Sequence, residues 1–192
     1  ELVELARDAI QNYLETGKKI NPPEDTSGVM SEKRGVFVTL NKNGDLRGCI
    51  GRPLPTEPLA NAVIDSAINA ATQDPRFTPL QKDELKNITV EVSVLTVPEK
   101  IEVDTPSDYP DKVEVGKDGL IVKYMGNSGL LLPQVPVEQG WDAEEFISQT
   151  CVKAGISSDS WLEKDVEIER FNAQIFKEKE PLGEIVEEEL FD

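Results

Sequence analysis

An Asn-Gly pair lies between two strand-like runs and constrains the fold of this chain more than any other feature. It is Asn43-Gly44, preceded by the β-branched and aromatic residues 35–40 and followed by residues 45–51. Because both central residues of a type I′ turn need positive φ, Asn-Gly is the strongest short-range signal for a hairpin. The sequence therefore predicts two antiparallel strands that meet at this turn.

Two helices and a third strand are predicted around this hairpin. Apolar residues recur at helical spacing over residues 2–14 and again over residues 57–71. Gly17 supplies a stop for the first helix and Thr56 an N-cap for the second. Residues 88–97 alternate apolar and polar side chains, which is the pattern of a half-buried antiparallel strand.

The second half of the chain repeats this mixture of strands and helices. Residues 119–124 and 128–132 predict paired short strands, and residues 166–176 predict a last strand. Asp142 predicts the N-cap of a helix that ends at Gly155. Strands arranged in hairpins with helices inserted predict an α+β fold, with a mostly antiparallel sheet flanked by helices.

Length and charge limit the size and the partners of the protein. A chain of 192 residues suffices for one full domain, or for one domain with a small companion. The net charge of −17 repels phosphate backbones, so nucleic acid is not expected as a partner. Residues 177–192 are expected to form an acidic tail that frays beyond Lys177. No stretch approaches about 18 apolar residues, so we expect a cytoplasmic protein without a membrane segment.

The absence of histidine excludes much of the chemistry of hydrolases and metalloenzymes. Ser-His-Asp and Cys-His catalysis both require it, and it is the commonest zinc ligand. The two cysteines, Cys49 and Cys151, are too few for a disulfide framework and are expected to stay reduced, with Cys151 in the core. No CxxC pair, P-loop or GxGxxG motif occurs. Neither a metal nor a cofactor is therefore expected.

A glycine-flanked segment on the return strand of the hairpin is the main candidate site. Arg47 and Cys49 are two residues apart and should share one face of the strand, where the guanidinium would lower the pKa of the thiol. Gly48 and Gly51 lack side chains, so a ligand or another backbone can approach closely, and Arg52 adds a second cation. The alternative is that Cys49 is a small buried hydrophobe and that the glycines permit a bulge.

Three further residues are candidates outside this segment. Arg76 follows Pro75 in a rigid turn and could clamp an anion, while Asp74 caps the turn and Phe77 anchors it in the core. Gln134 follows a proline and could present its amide to a cleft. Glu91 lies on the polar face of its strand, where a solvated or Arg-paired carboxylate is favoured over a general base.

In their order along the chain, these segments resemble the motifs of the AMMECR domain proteins. That family is named from a human chromosomal region linked to Alport syndrome, midface hypoplasia and elliptocytosis. The matching segments are 34–40 (RGVFVTL), 46–51 (LRGCIG), 74–77 (DPRF), 90–95 (VEVSVL), 129–135 (GLLLPQV), Trp141 and 151–155 (CVKAG). The order and the number of these motifs identify the chain as resembling a prokaryotic-type, stand-alone member.

The resemblance implies an architecture and possible partners. A single domain is expected over residues 1–176, with a smaller α/β subdomain, placed within residues 97–140, packed against a larger sheet domain. Prokaryotic relatives are often encoded near a radical-SAM protein and a Memo-like protein, which are the partners that the resemblance implies. The family has no firmly assigned activity, and residues 46–51 are its suspected functional segment.

Two functions of different classes remain open from the sequence. In the first, the protein is an enzyme or the accessory of an enzyme, with Cys49 as nucleophile, Arg47 as its activator, and Arg76 or Arg52 as the clamp for a small anionic ligand. In the second, it is a non-catalytic scaffold or regulatory module that docks a partner protein. Nucleic-acid binding is the weakest of the alternatives because of the net charge.

Overall fold

A computed structural model describes residues 1–25 and 28–188, and these residues form two compact units. The first unit comprises Glu1–Leu95 with Gln174–Glu188, and the second comprises Thr96–Ala173. The single domain over residues 1–176 and the smaller subdomain within residues 97–140 stay predictions.

Helices, strands and single-turn helices alternate along the described chain. The helices are α1 (Leu2–Thr16), α2 (Leu59–Thr72), α3 (Tyr109–Lys112), α4 (Gln134–Gln139) and α5 (Ala143–Lys153). The strands are β1 (Val36–Lys42), β2 (Asp45–Arg52), β3 (Ile88–Leu95), β4 (Glu99–Lys100), β5 (Gly119–Tyr124), β6 (Asn127–Leu131), β7 (Glu167–Phe171), β8 (Ala173–Glu178) and β9 (Ile185–Glu188). Short 3-10 turns occupy Gly28–Ser31, Lys82–Asn87, Pro106–Asp108 and Ser160–Leu162.

The first unit contains a five-stranded sheet in the order β2-β1-β3-β8-β9. β1 is antiparallel to both of its neighbours, β2 and β3. Asn43 and Gly44 join β1 to β2 with φ angles of 54° and 84°, the left-handed conformation that a type I′ turn requires. The predicted hairpin is confirmed, and β2 forms one edge of the described sheet.

Helices α1 and α2 pack together and against this sheet, and they close the core of the first unit. The alternating apolar residues of the central strands point into it: Val36, Val38, Leu40, Val90, Val92 and Val94. Gly17 ends α1 in the left-handed conformation, as predicted. The prediction of Thr56 as the N-cap of α2 was wrong. The helix begins at Leu59, whose N–H is satisfied by the main-chain carbonyl of Glu32 at 2.8 Å.

The second unit contains a four-stranded sheet in the order β4-β7-β5-β6, with α5 packed on β5 and β6. Asp142 caps α5 as predicted, since its carboxylate accepts the Glu145 N–H at 2.8 Å. Phe146 and Cys151 project from α5 into a separate apolar core, which confirms the expected burial of Cys151. This core stabilises the second unit without residues of the first.

The last predicted strand, over residues 166–176, is two strands that belong to different sheets. β7 lies in the sheet of the second unit and β8 in that of the first. Asn172 separates them: its N–H donates to Thr96 Oγ1 at 2.8 Å, and its side-chain amide donates to the Lys117 carbonyl at 3.0 Å. These bonds take the place of ladder bonds, so pairing stops at this residue.

The expectation that the chain frays beyond Lys177 was also wrong for the described residues. β9 (Ile185–Glu188) is antiparallel to β8 and adds an edge strand to the first sheet. Lys177 Nζ lies 2.8 Å from Glu188 Oε1, so one of the acidic residues is held by an ion pair. Residues 189–192 of the predicted tail lie outside the described residues.

The predicted fold class is confirmed, because the described residues form antiparallel sheets flanked by helices. Within residues 1–25 and 28–188, no helix is both long enough and apolar enough to cross a membrane.

A buried ion pair joins three elements of the first unit. Arg7 of α1 and Glu178 of β8 lie 2.7 Å apart, with side chains only 7% and 5% exposed. Arg7 also donates to the Leu85 carbonyl at 3.1 Å, and Glu178 accepts the Val90 N–H at 2.8 Å. Because both charges are paired and hydrogen-bonded, removal of one would leave the other buried without compensation.

Substitution of this glutamate is expected to cost much of the stability of the first unit. In Glu178→Gln, the uncompensated guanidinium of Arg7 should lower the free energy of unfolding by about 3 kcal/mol, measured by urea denaturation. The matched control is Glu184→Gln, which breaks an exposed pair with Lys179. It should change stability by less than about 1 kcal/mol. Equal effects in the two variants would contradict a structural role for the buried pair.

Candidate functional site

The candidate site is on β2, and its orientation is fixed by a glycine. A Cβ on Gly48 would overlap the main-chain carbonyl of Ala70 in α2, so only a glycine fits where β2 passes this helix. Ile50 also packs toward this core. Side chains alternate along a strand, so Cys49 projects from the opposite face of the sheet, where it is partly exposed.

Cys49 stands in a row of polar residues that crosses three strands. The register pairs Thr39 of β1 with Cys49 on one side and with Glu91 of β3 on the other. The Thr39 hydroxyl and the Cys49 thiol are 3.3 Å apart and share a hydrogen bond. A thiol, a hydroxyl and a carboxyl group are therefore neighbours on the sheet face opposite the helices.

Asp74 binds the edge of β2 at Cys49 through its carboxylate. One oxygen accepts the Cys49 N–H at 3.0 Å, and the other accepts the Arg76 N–H at 3.1 Å. Arg76 donates two further bonds to the same carboxylate, at 2.7 and 3.0 Å. The bonds from the Arg76 guanidinium, aided by the main-chain N–H groups, hold the pKa of Asp74 well below its usual range despite burial. Asp74 caps this turn, as the sequence suggested, and also fixes the loop to β2.

The pKa of Cys49 is raised, which contradicts the lowered pKa expected from the sequence. Burial raises it most, and the charges of Glu91 and Asp74 act in the same direction. The Thr39 hydrogen bond and the Arg76 charge lower it, without outweighing burial. The raised pKa therefore favours the thiol form of Cys49 over the thiolate at neutral pH.

Arg47 does not activate Cys49, because its guanidinium binds Glu84. The two N–H···O distances are 3.1 and 3.2 Å, and Lys42 contacts the same carboxylate at 3.0 Å. A register shift explains the geometry: Leu40 pairs with Gly48 and Asn41 with Leu46, so Arg47 is the extra residue of a β-bulge. The bulge that the sequence allowed as an alternative is present.

Gly51 and Arg52 are also engaged within the protein rather than open to a ligand. The ring of Phe37 fills the space that a side chain on Gly51 would need. Arg52 lies 2.7 Å from Glu57 and 3.2 Å from Asp65, so its charge is neutralised by two carboxylates. The cationic pocket expected from Arg47 and Arg52 is therefore absent from the described part of the chain.

Arg76 is the guanidinium beside Cys49 that remains accessible. Its side chain is 56% exposed although it forms an ion pair with Asp74. Its Nη2 lies 3.5 Å from the Cys49 carbonyl oxygen. The guanidinium carbon is 5.5 Å from the centre of the Phe77 ring, a cation–π contact. Phe77 is partly exposed and supports Arg76, whereas the sequence had suggested that it anchors the turn in the core.

Gln134 begins α4 in the second unit, whereas Cys49, Asp74 and Arg76 belong to the first. Its Oε1 is buried without a hydrogen-bond partner among the described residues. Over the same residues, no group of three or more Cys, Asp and Glu side chains is placed to hold a metal ion.

Thr39 and Glu84 are the residues that the sequence did not bring to the site. Thr39 looked like an ordinary strand residue, and only the register of the hairpin places it against Cys49. Glu84 lies far from Arg47 in sequence and reaches it from a 3-10 turn. The alternation of β3 did indicate the face of Glu91, but not its neighbours.

These features define a two-unit α+β protein with a neutral thiol on a hairpin edge and one accessible guanidinium beside it. The chain belongs to the AMMECR1 family, whose family model matches residues 3–176. The resemblance drawn from the motifs is thereby confirmed.

Archaeal proteins of similar length are among the relatives of this chain. A protein of Pyrococcus abyssi is 55% identical over 96% of this chain and 92% of its own, and one of Methanopyrus kandleri is 54% identical over 98% and 92%. The crystal structure of the uncharacterised protein PH0010 of Pyrococcus horikoshii matches with a TM-score of 0.90 at 53% identity. That match covers 98% of this chain and 95% of the other.

The Arg47–Glu84 pair predicts a specific pH dependence of stability. Burial alone would raise the pKa of Glu84, but the Gln81 N–H, Arg47 and Lys42 outweigh it and lower the pKa to about 2. A carboxyl group with a lowered folded-state pKa stabilises the protein above its unfolded pKa, and this stabilisation is lost as pH falls through the folded pKa. The contribution of Glu84 should therefore be complete above about pH 5 and vanish near about pH 2.

The measurement is urea unfolding of the wild type and of Glu84→Gln across this range. The variant should be less stable by about 1–3 kcal/mol at neutral pH, and the difference should shrink in acid. A difference that stays constant down to the lowest pH would show that the charge of Glu84 is not what binds Arg47.

Proposed function

We propose that this protein binds a small anionic ligand at the edge of β2, as an enzyme or as the accessory of an enzyme. The ligand contacts the Arg76 guanidinium and lies against the Cys49 thiol. The observation that carries the proposal is the carboxylate of Asp74, which binds both the Cys49 main chain and the Arg76 side chain. One buried group thus holds a cation and a thiol at fixed neighbouring positions.

Arg76 suits the role of anion contact better than Arg47 or Arg52. Asp74 occupies its Nε and Nη2, while its Nη1 makes no hydrogen bond with the described residues. Pre-orientation by Asp74 lowers the entropy lost when a ligand oxygen binds, and a charge-assisted bond is stronger than a neutral one. Because Asp74 also reduces the net charge, moderate affinity is expected.

The neutral state of Cys49 limits what the thiol does before a ligand binds. A thiol with a raised pKa is a weak nucleophile, since the thiolate is the reactive form. Cys49 therefore serves first as a hydrogen-bonding and packing contact. A covalent role requires that ligand binding change the charges around it.

A second candidate function is the docking of a partner protein, such as the radical-SAM or Memo-like protein that the family resemblance implies. Leu46 and Leu54, at the two ends of this edge, are 40% and 53% exposed. Exposed apolar residues beside an edge strand favour a protein contact. The two functions differ in their dependence on Arg76.

Inorganic phosphate is the probe for the first function, followed by amide NMR shifts during titration. Shifts should cluster at Cys49 and Arg76, and Arg76→Gln should weaken binding by about tenfold or more. The matched control is Arg52→Gln, which removes a guanidinium that is already paired and should leave affinity within about twofold. Urea unfolding checks that both variants fold.

Amide shifts that cluster far from Cys49 would contradict the anion site. An equal loss of phosphate affinity in Arg76→Gln and Arg52→Gln would also contradict it. The docking function is favoured over anion binding under two conditions. Phosphate does not bind, and a radical-SAM or Memo-like protein binds Arg76→Gln and Cys49→Ala as well as it binds the wild type. Loss of that partner in Leu46→Ser or Leu54→Ser would then locate the contact.

A further inference from the structure

Glu91 is the ionisable end of the polar row that contains Cys49. We propose that the charged carboxylate of Glu91 adds to burial in disfavouring the thiolate of Cys49, and that loss of this charge makes the thiol more reactive. The inference rests on the proposed function, since it describes how the same site is regulated. It assigns a role to a residue that touches neither Asp74 nor Arg76 in the described structure.

Geometry puts Glu91 within electrostatic reach of Cys49. Thr39 lies opposite both residues in the sheet register, so Glu91 and Cys49 flank it on one face. Two strand spacings separate them by about 9–10 Å. Partly buried charges at that distance are only partly screened by salt, so the charge of Glu91 acts on the thiol.

The surroundings of Glu91 make it easy to protonate. Burial raises its pKa, and the neighbouring Glu188 of β9 raises it further. Lys177 of β8 and the Thr39 hydroxyl act in the opposite direction. Lys177 is shared, because its ammonium lies 2.8 Å from Glu188. Two carboxyl groups thus compete for one cation, an arrangement that favours uptake of a proton by Glu91.

The sign of the coupling follows from the two charges. A charged Glu91 disfavours a thiolate at Cys49, and a protonated Glu91 does not. Coupling between two sites is reciprocal, so an anion placed at Cys49 makes Glu91 bind its proton more tightly. Binding of an anionic ligand beside Arg76 is therefore expected to draw a proton to Glu91, and this proton offsets part of the repulsion that the ligand itself exerts on a thiolate.

Thr39 keeps the two ends of the row in register. Its hydroxyl binds the Cys49 thiol at 3.3 Å and lowers the pKa of Cys49. Thr39→Val preserves the β-branched shape but loses this bond, so the thiol should react more slowly. Removal of Glu91 should have the opposite effect, and this opposition distinguishes charge from a general loosening of the sheet.

The test is the alkylation rate of Cys49 by iodoacetamide, read by mass spectrometry without any ligand. Above neutral pH, Glu91→Gln should react about threefold to tenfold faster than the wild type, because one nearby negative charge is lost. The ratio should fall toward one in acid, where Glu91 of the wild type is protonated. Glu187→Gln is the matched control. Glu187 precedes Glu188 in β9, is exposed, and projects from the opposite face of the sheet, because side chains alternate along a strand.

Two further variants keep the test decisive if Glu91→Gln folds poorly. Protonation of Glu91 should appear as a step in the pH dependence of the Cys49 rate constant, once this is corrected for the thiolate fraction. Glu188→Gln should move this step to lower pH and Lys177→Gln to higher pH, because they remove a carboxylate and a cation beside Glu91. Equal rates for the wild type and all three variants at every pH would overturn the proposal. The phosphate titration depends on Arg76 and not on Glu91, so failure of the alkylation test leaves the proposed anion site to be judged by the titration alone.

Discussion

The carboxylate of Asp74 is the contact on which the candidate site depends. It is almost fully buried, yet it accepts hydrogen bonds from the main chain of Cys49 and from both the main chain and the side chain of Arg76. A buried carboxylate without such partners would be strongly unfavourable, so the loop, the strand edge and the guanidinium are held together as a set. Gly48 fixes the other side of the strand against α2. Between these two constraints, the position of the Cys49 thiol is determined.

The acidity of the chain explains why the site is less cationic than its sequence suggests. With 37 acidic and 20 basic residues, each arginine near β2 meets a carboxylate: Arg47 meets Glu84, Arg52 meets Glu57 and Asp65, and Arg76 meets Asp74. Of these three arginines, Arg76 has the most exposed side chain, at 56% against 44% for Arg52 and 13% for Arg47. Charge counting along a sequence misses this neutralisation, because the partners are brought together by the fold.

Local signals in the sequence were sufficient for much of the fold. Asn43-Gly44 defined the hairpin because its positive φ angles are a property of two adjacent residues. Asp142 defined the start of α5 for the same reason, since an N-cap acts within one turn. The division of residues 166–176 into β7 and β8 could not be predicted, because Asn172 is held by Thr96 and Lys117 from elsewhere in the chain.

The site itself was predictable in place but not in mechanism. The glycine-flanked segment marked the correct strand, yet a bulge at Arg47 altered the register on which the expected thiol activation depended. Thr39 and Glu91, which replace Arg47 as neighbours of Cys49, come from strands whose pairing is a long-range property. The neighbours of a side chain on a sheet surface can be predicted only when the strand register is known, because a shift of one residue changes all of them.

The most direct test of this account is iodoacetamide labelling of the native wild-type protein across pH, resolved between its two cysteines. Cys49, partly exposed and with a raised pKa, is expected to label in the folded protein with a midpoint above about 8.5, the ordinary pKa of cysteine. Cys151, fully buried in the second unit, should label only after denaturation. Labelling of Cys49 that is already complete below neutral pH, or that requires unfolding, would contradict it.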